Sequence, residues 1–190
     1  MAPIDFFFDI GSPYTYMAFH RLPPMAAEAG VEIHYRPFLL GAVFKATGNA
    51  PPALVPARGT YMLQDLARWA AHIGAPFHFP SFFPINSLLP MRALCTFGPD
   101  EVQGAAERIF NAYWAADRDV SMPEVLADLI GTDAVVGASE PEVKQRLRRH
   151  TDEAIRLGAF GAPTLVAGNE IFFGNDRLEF ALEAATRGPR

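Results

Sequence analysis

Two segments far apart in the chain carry the residue types that could do chemistry: Phe6-Phe-Phe-Asp-Ile-Gly-Ser-Pro-Tyr-Thr-Tyr16 and Gly158-Ala-Phe-Gly-Ala-Pro-Thr-Leu-Val166. In the first, Gly11 is followed by Ser12-Pro13, the pattern of a helix start with Ser at the N-cap and Pro at the first helical position. The free N–H groups of such a start favour an anion. In the second, Pro163 stands at the entrance to a β-branched, apolar run, where a cis Ala162–Pro163 bond could turn the Ala162 backbone toward a ligand. Locally, Ser12 reads either as a plain cap or as a group that meets a ligand, and Pro163 either as a strand entrance or as a ligand-facing turn.

Other polar residues extend the candidate set. Gly174-Asn175-Asp176-Arg177 precedes the last helical run, so its N–H groups and the Asp176 carboxylate face whatever lies above the sheet; alternatively Asp176 caps the helix and pairs locally with Arg177. Asn49 lies in a loop suited to a peptide ligand, between Gly48 and Ala50-Pro51-Pro52, and Arg58 is the next cation that could reach a carboxylate. Lys45 is an isolated cation in an apolar stretch. Phe79, Phe82, Phe83 and Asn86 fall in a proline-rich segment, where aromatic rings either wall a flat substrate or belong to the core. The five histidines show no pair at ligand spacing, so no metal is expected.

The elements that must position these groups are legible in the periodicity. Ile4 to Ile10 reads as a strand, Pro13 to Ala29 as a helix ended at Gly30, and Val31 to Pro37 as a second strand, a βαβ unit with two parallel strands. Thr164–Ala167 and Glu170–Phe173 read as a hairpin joined by Gly168-Asn169, followed by a helix from Asp176 to Ala185 with Leu178, Leu182 and Ala185 on one face. The long middle carries helical spacing at Met62, Leu66, Trp69, Ala70 and Ile73, and again at Val102, Ala106, Ile109, Phe110 and Tyr113. Ser121-Met-Pro-Glu124 and Ser139-Glu-Pro-Glu142 read as capping boxes that open two further helices. The expected fold is α/β and thioredoxin-like, with βαβ and ββα halves around a four-stranded mixed sheet. Residues 1–50 and 155–190 form the thioredoxin-like domain, and 51–154 an inserted all-helical domain.

Bulk composition narrows the partners. A chain of 190 residues, half of them apolar, buries a genuine core. The formal charge of −5 argues against nucleic acid, and the basic run Lys144 to Arg149 reads as a solvated helix face. The uncharged stretch Trp69 to Met91 contains Pro76, Pro80, Pro84 and Pro90, which no spanning helix tolerates, so no membrane role is expected. The start lacks the pattern of a signal peptide, and a cytoplasmic protein is expected. The single cysteine, Cys95, excludes an internal disulfide and reads as a buried thiol among Met91, Leu94 and Phe97.

An ordered set of segments then resembles the 2-hydroxychromene-2-carboxylate isomerase family, kin of kappa-class glutathione transferases and of DsbA-like thioredoxin folds. The matching residues are Phe8 to Tyr14, Phe44 to Asn49, Tyr61 to Leu66, Phe79-Pro80 with Asn86-Ser87, Phe160 to Thr164, and Phe172 to Arg177. The resemblance implies a cytoplasmic, homodimeric enzyme using glutathione on a small aromatic carboxylate. Its reaction interconverts 2-hydroxychromene-2-carboxylate and trans-o-hydroxybenzylidenepyruvate in naphthalene-type catabolism.

Carried onto this chain, the resemblance implies that Ser12 occupies the place of an oxidoreductase's attacking cysteine and steadies the glutathione thiolate. Ala162 would pair with the cysteinyl backbone, Gly174, Asn175, Asp176 and Arg177 would hold the γ-glutamyl end, and Asn49 and Arg58 the rest of the tripeptide. Lys45, Asn49, Phe83 and Asn86 would meet the substrate. Many relatives carry Lys near the Arg58 position, and some carry a basic residue where this chain has Ala50, which bears on substrate identity. The thiolate would add to the conjugated substrate, the ring would open, the adduct would rotate, and glutathione would return unchanged. Two alternatives share the cleft: a kappa-like transferase or peroxidase acting on other electrophiles, and a non-catalytic thioredoxin-like binding module. A disulfide exchange cycle within the site is excluded by the lack of a second thiol.

Overall fold

A computed structural model describes residues 1–187. The elements run β1 (Ile4–Phe8), α1 (Pro13–Ala29), β2 (Ile33–Pro37), α2 (Leu40–Thr47), a short 3-10 turn (Pro52–Leu54), α3 (Pro56–Ile73), α4 (Leu88–Leu94), α5 (Pro99–Trp114), α6 (Pro123–Ile130), α7 (Thr132–Gly137), α8 (Pro141–Arg156), β3 (Thr164–Ala167), β4 (Glu170–Phe173) and α9 (Leu178–Arg187). The sheet is mixed, in the order β2-β1-β3-β4. Strand β1 runs parallel to β2, with Phe6 beside Tyr35, and antiparallel to β3, with Phe6 beside Leu165.

Strand β1 is nearly continuous in apolar residues because both faces of the sheet are covered. Side chains alternate across a strand. Phe6 and Phe8 accordingly enter the main core with Tyr16, Phe19, Phe110 and Trp114, whereas Phe7 enters a smaller core with Phe38, Val43, Ala154, Ala162 and Val166. Burying each such aromatic contributes about 1.5–3 kcal/mol. Every regular element between β2 and β3 is helical, and α3, α4 and α5 contribute Leu66, Met91 and Ile109 to the same core as β1 and α1.

Several boundaries differ from the sequence expectations. Strand β1 stops at Phe8 because the Asp9 carboxylate folds back to accept from the Gly11 N–H at 2.9 Å. Val31 is not part of β2; its N–H closes the end of α1 by donating to Ala26 O at 2.9 Å, next to Gly30 at φ +67°. Helix α9 starts at Leu178 rather than Asp176. Neither expected capping box forms: the residues preceding α6 and α8 are Met122 and Glu140, without side-chain caps. Ser121 Oγ instead donates to Asp119 at 2.6 Å, and Ser139 Oγ to Val136 O at 2.8 Å. Pro123 and Pro141 already fix the first helical residue, so these helices begin without the hydroxyl. Where the chain does use a reaching glutamate is α5, whose Glu101 accepts from the Gly98 N–H at 3.3 Å.

Candidate active site

The site is built where β1 ends. Ser12 caps α1, accepting from the Thr15 N–H at 3.2 Å, and its hydroxyl donates to the Ala162 carbonyl at 2.9 Å. Both residues are more than 90% buried, and the Ala162–Pro163 bond is cis. The fold therefore brings together the two segments singled out by residue type. A carbonyl oxygen has two lone pairs, so the one Ser12 leaves can still accept from a ligand.

Asp9 fixes the loop under Ser12. Its carboxylate accepts from the N–H groups of Gly11 and Leu40, each at 2.9 Å, and from Ser87 Oγ at 3.0 Å, and burial pushes its pKa above the usual carboxylate range against those bonds. Trp114 Nε1 donates to Ile10 O at 2.8 Å, tying the same loop to α5. Phe83 packs half-buried against Phe79 and Trp114, so it acts as a wall behind this loop. Asn86 is exposed, and its Oδ1 accepts from the Leu88 N–H at 3.2 Å at the start of α4.

A cavity of about 340 Å³ opens beside α1 and α3, lined by Tyr14, Pro52, Ala57, Arg58, Tyr61 and Met62. Arg58 is exposed in the first turn of α3. Tyr14 donates to Asp65 Oδ2 at 2.9 Å; burial first, then the Asp65 carboxylate, holds its phenol well above the usual tyrosine range, so it remains a neutral donor. The Asp176 carboxylate adds a smaller upward push on the same phenol.

That turn is tightly specified. Gly174 takes φ +104°, its N–H donates to Pro163 O at 3.1 Å, and a Cβ there would meet Asp176 Oδ1 at 2.6 Å. Asn175 is buried, and its side-chain Nδ2 has no partner. Asp176 is exposed and pairs with Arg177 Nη1 at 2.8 Å, so the local pairing weighed from the sequence is present. A buried amide without a partner among the described residues thus stands beside a carboxylate and just before α9.

The remaining candidates lie further out. Asn49 bridges two loops, donating through Nδ2 to Phe160 O at 2.8 Å and accepting from the Ala50 N–H at 2.9 Å. Lys45 is exposed in the last turn of α2, outside the cavity lining. Cys95 is buried, and its thiol is pushed up to about 12 by burial, so it remains protonated. Sequence reasoning assigned no role to Tyr14, Asp65 or Asp9. All three stand in the motifs quoted above, but no local spacing announces that residues on α1 and α3 meet.

The chain matches the DSBA-like thioredoxin domain over residues 3–185. It is 35% identical over 193 residues to 2-hydroxychromene-2-carboxylate isomerase of Pseudomonas putida, covering 96% of this chain and 93% of that protein. It belongs to the 2-hydroxychromene-2-carboxylate isomerase family. Within that family, a solved 2-hydroxychromene-2-carboxylate isomerase superposes with a TM-score of 0.83 at 30% identity, covering 97% of this chain and 94% of the other. Glutathione S-transferase kappa 1 of Homo sapiens is also similar, 30% identical over 197 residues with 93% of this chain and 87% of that protein covered. Relatives with such names are enzymes, which supports catalytic activity in this chain. Among the described residues, no helix is long and apolar enough to cross a membrane.

Proposed function

We propose that this protein is a glutathione-dependent isomerase that interconverts 2-hydroxychromene-2-carboxylate and trans-o-hydroxybenzylidenepyruvate. The observation that carries the reading is the meeting of Ser12 Oγ and the Ala162 carbonyl at the N-terminus of α1, with the protein's only sulfhydryl buried elsewhere. A site of this shape offers a hydroxyl and N–H groups to an anion but no nucleophile strong enough for covalent work.

Bound glutathione supplies the missing nucleophile, a thiolate. The Ser12 hydroxyl, turning its single proton from the Ala162 carbonyl to the sulfur, and the first N–H groups of α1 hold that negative charge, lowering a thiol pKa that is about 8.5 in water. Ala162 aligns the cysteinyl backbone, Asn175 and Asp176 take the γ-glutamyl head, and Arg58 is the cation available to the glycyl carboxylate. Tyr14, kept neutral by Asp65, orients the cavity wall. Lys45, Asn49, Phe83 and Asn86 are assigned to the aromatic carboxylate substrate as the outer rim of the cleft. The same reading carries a cytoplasmic homodimer working in aromatic catabolism.

The test is turnover of 2-hydroxychromene-2-carboxylate with and without glutathione. The expected result is isomer formation that requires glutathione and regains it in full. A second reading, a kappa-like transferase, is favoured by the similarity to kappa transferases. A stable thioether product would establish it over the isomerase. Absence of any thermal shift at millimolar glutathione would instead favour a binding module, since a ligand at about 100 times its Kd adds about 2.7 kcal/mol of stability.

A further inference from the structure

Arg21 lies within α1, away from the cavity lining, yet its guanidinium is one of the most enclosed charges in the molecule, with a side chain 15% exposed. It is gripped from three directions. Nη1 donates to the carbonyl of Asn175, Nη2 meets Glu179 Oε1 at 2.5 Å, and the guanidinium lies 5.0 Å over the ring of Trp69 in α3. A guanidinium can fork to two acceptors while stacking on an aromatic face, which an ammonium cannot reproduce.

The two acceptors bracket the turn that precedes α9. Asn175 stands before Asp176, and Glu179 lies in the first turn of the helix. Asn175 contributes its carbonyl to Arg21 and keeps a buried, unpartnered side-chain Nδ2. Arg21 thus holds the backbone of the turn that carries the buried Asn175 amide and the exposed Asp176 carboxylate.

We propose that Arg21 is a positioning residue for recognition of the γ-glutamyl head group. It touches no ligand; it fixes where Asn175 and Asp176 stand relative to Ser12 and Tyr14. The inference rests on the reading that glutathione binds here, and it adds that the discrimination of glutathione from a thiol lacking the γ-glutamyl group depends on a residue outside the cavity.

The experiment measures binding of glutathione and of cysteinylglycine to the full chain by calorimetry, for the wild type, Arg21→Met and Arg21→Lys, with thermal unfolding of each. Arg21→Met is expected to weaken glutathione about tenfold, the scale of one lost charge-assisted hydrogen bond, while cysteinylglycine changes less than about twofold. In turnover, KM for glutathione rises while kcat at saturation stays within about twofold, and Arg21→Lys recovers part of the loss. If Arg21→Met does not fold, Arg21→Lys carries the same comparison, with a smaller fall in the ratio expected. A folded variant that loses affinity for both thiols equally, or for neither, overturns this inference and leaves the proposed function standing. A wild type that binds no glutathione overturns both.

Discussion

The Ser12 hydroxyl lies 2.9 Å from the carbonyl oxygen of Ala162, a hydrogen bond across 150 positions of sequence that joins the start of α1 to the turn before β3. It positions the N-cap hydroxyl of that helix against the backbone expected to align a peptide ligand. Removing it separates two effects. Ser12→Ala loses the cap on Thr15 and should cost about 1 kcal/mol of stability, read from chemical unfolding. Activity should fall by about a hundredfold or more, the scale of losing one donor to a reacting anion. Full activity in the folded variant would remove Ser12 from the mechanism.

Cys95 should be dispensable. Its burial keeps the thiol protonated, with a pKa pushed up to about 12, so a thiol reagent should label native protein far more slowly than unfolded protein. Cys95→Ala is expected to retain glutathione-dependent turnover. Loss of turnover in a folded Cys95→Ala protein would return the protein's own sulfur to consideration.

Gly174→Ala tests the turn proposed to hold the γ-glutamyl head. The backbone is at φ +104°, and the new methyl would meet Asp176 Oδ1 at 2.6 Å, so the turn must move. Stability is expected to drop by about 1–2 kcal/mol, with affinity for glutathione falling more than the thermal midpoint explains. Calorimetry on the folded variant checks this, and unchanged affinity would place the ligand elsewhere.

Stability should weaken in mild acid through His150. Burial foremost, with Arg36, Arg146 and Arg149 nearby, lowers its pKa to about 4 against the opposing hydrogen bond to Pro37 O. The folded protein then binds fewer protons than the unfolded chain between about pH 4 and the unfolded value of about 6.5. The contribution is fully present above that unfolded value and is lost as pH falls through the folded one. Denaturant midpoints measured across this window should decline with acid, and His150→Gln should flatten the slope. An identical slope in the variant would assign the decline to other groups.

The sequence was most readable where a local rule acts alone. Ser12-Pro13 and Gly30 bound α1 at Pro13 and Ala29, and the Gly168-Asn169 pair separates β3 from β4 at the expected residues. Patterning failed where neighbours compete for the same groups. Ser121 resembled a cap, but Asp119 takes its hydroxyl; Val31 resembled a strand residue, but the end of α1 takes its N–H. Phe83 packs on Trp114 and Asn86 accepts from the Leu88 N–H, contacts that no local pattern in the proline-rich segment announces.

By itself the sequence determined the βαβ and ββα halves with a helical stretch between them, though not α2, α4 or α7, together with the absence of a second thiol and the residue types at Ser12, Ala162 and Asp176, because periodicity, capping and composition are properties of short windows. Only the tertiary structure decided that Ser12 meets Ala162, that Asp65 holds Tyr14, and that Arg21 lies beneath Asn175. Those pairings follow from how both faces of β1 are buried and from where α1, α3 and α9 then pack, and such long-range geometry leaves no periodic mark on the chain.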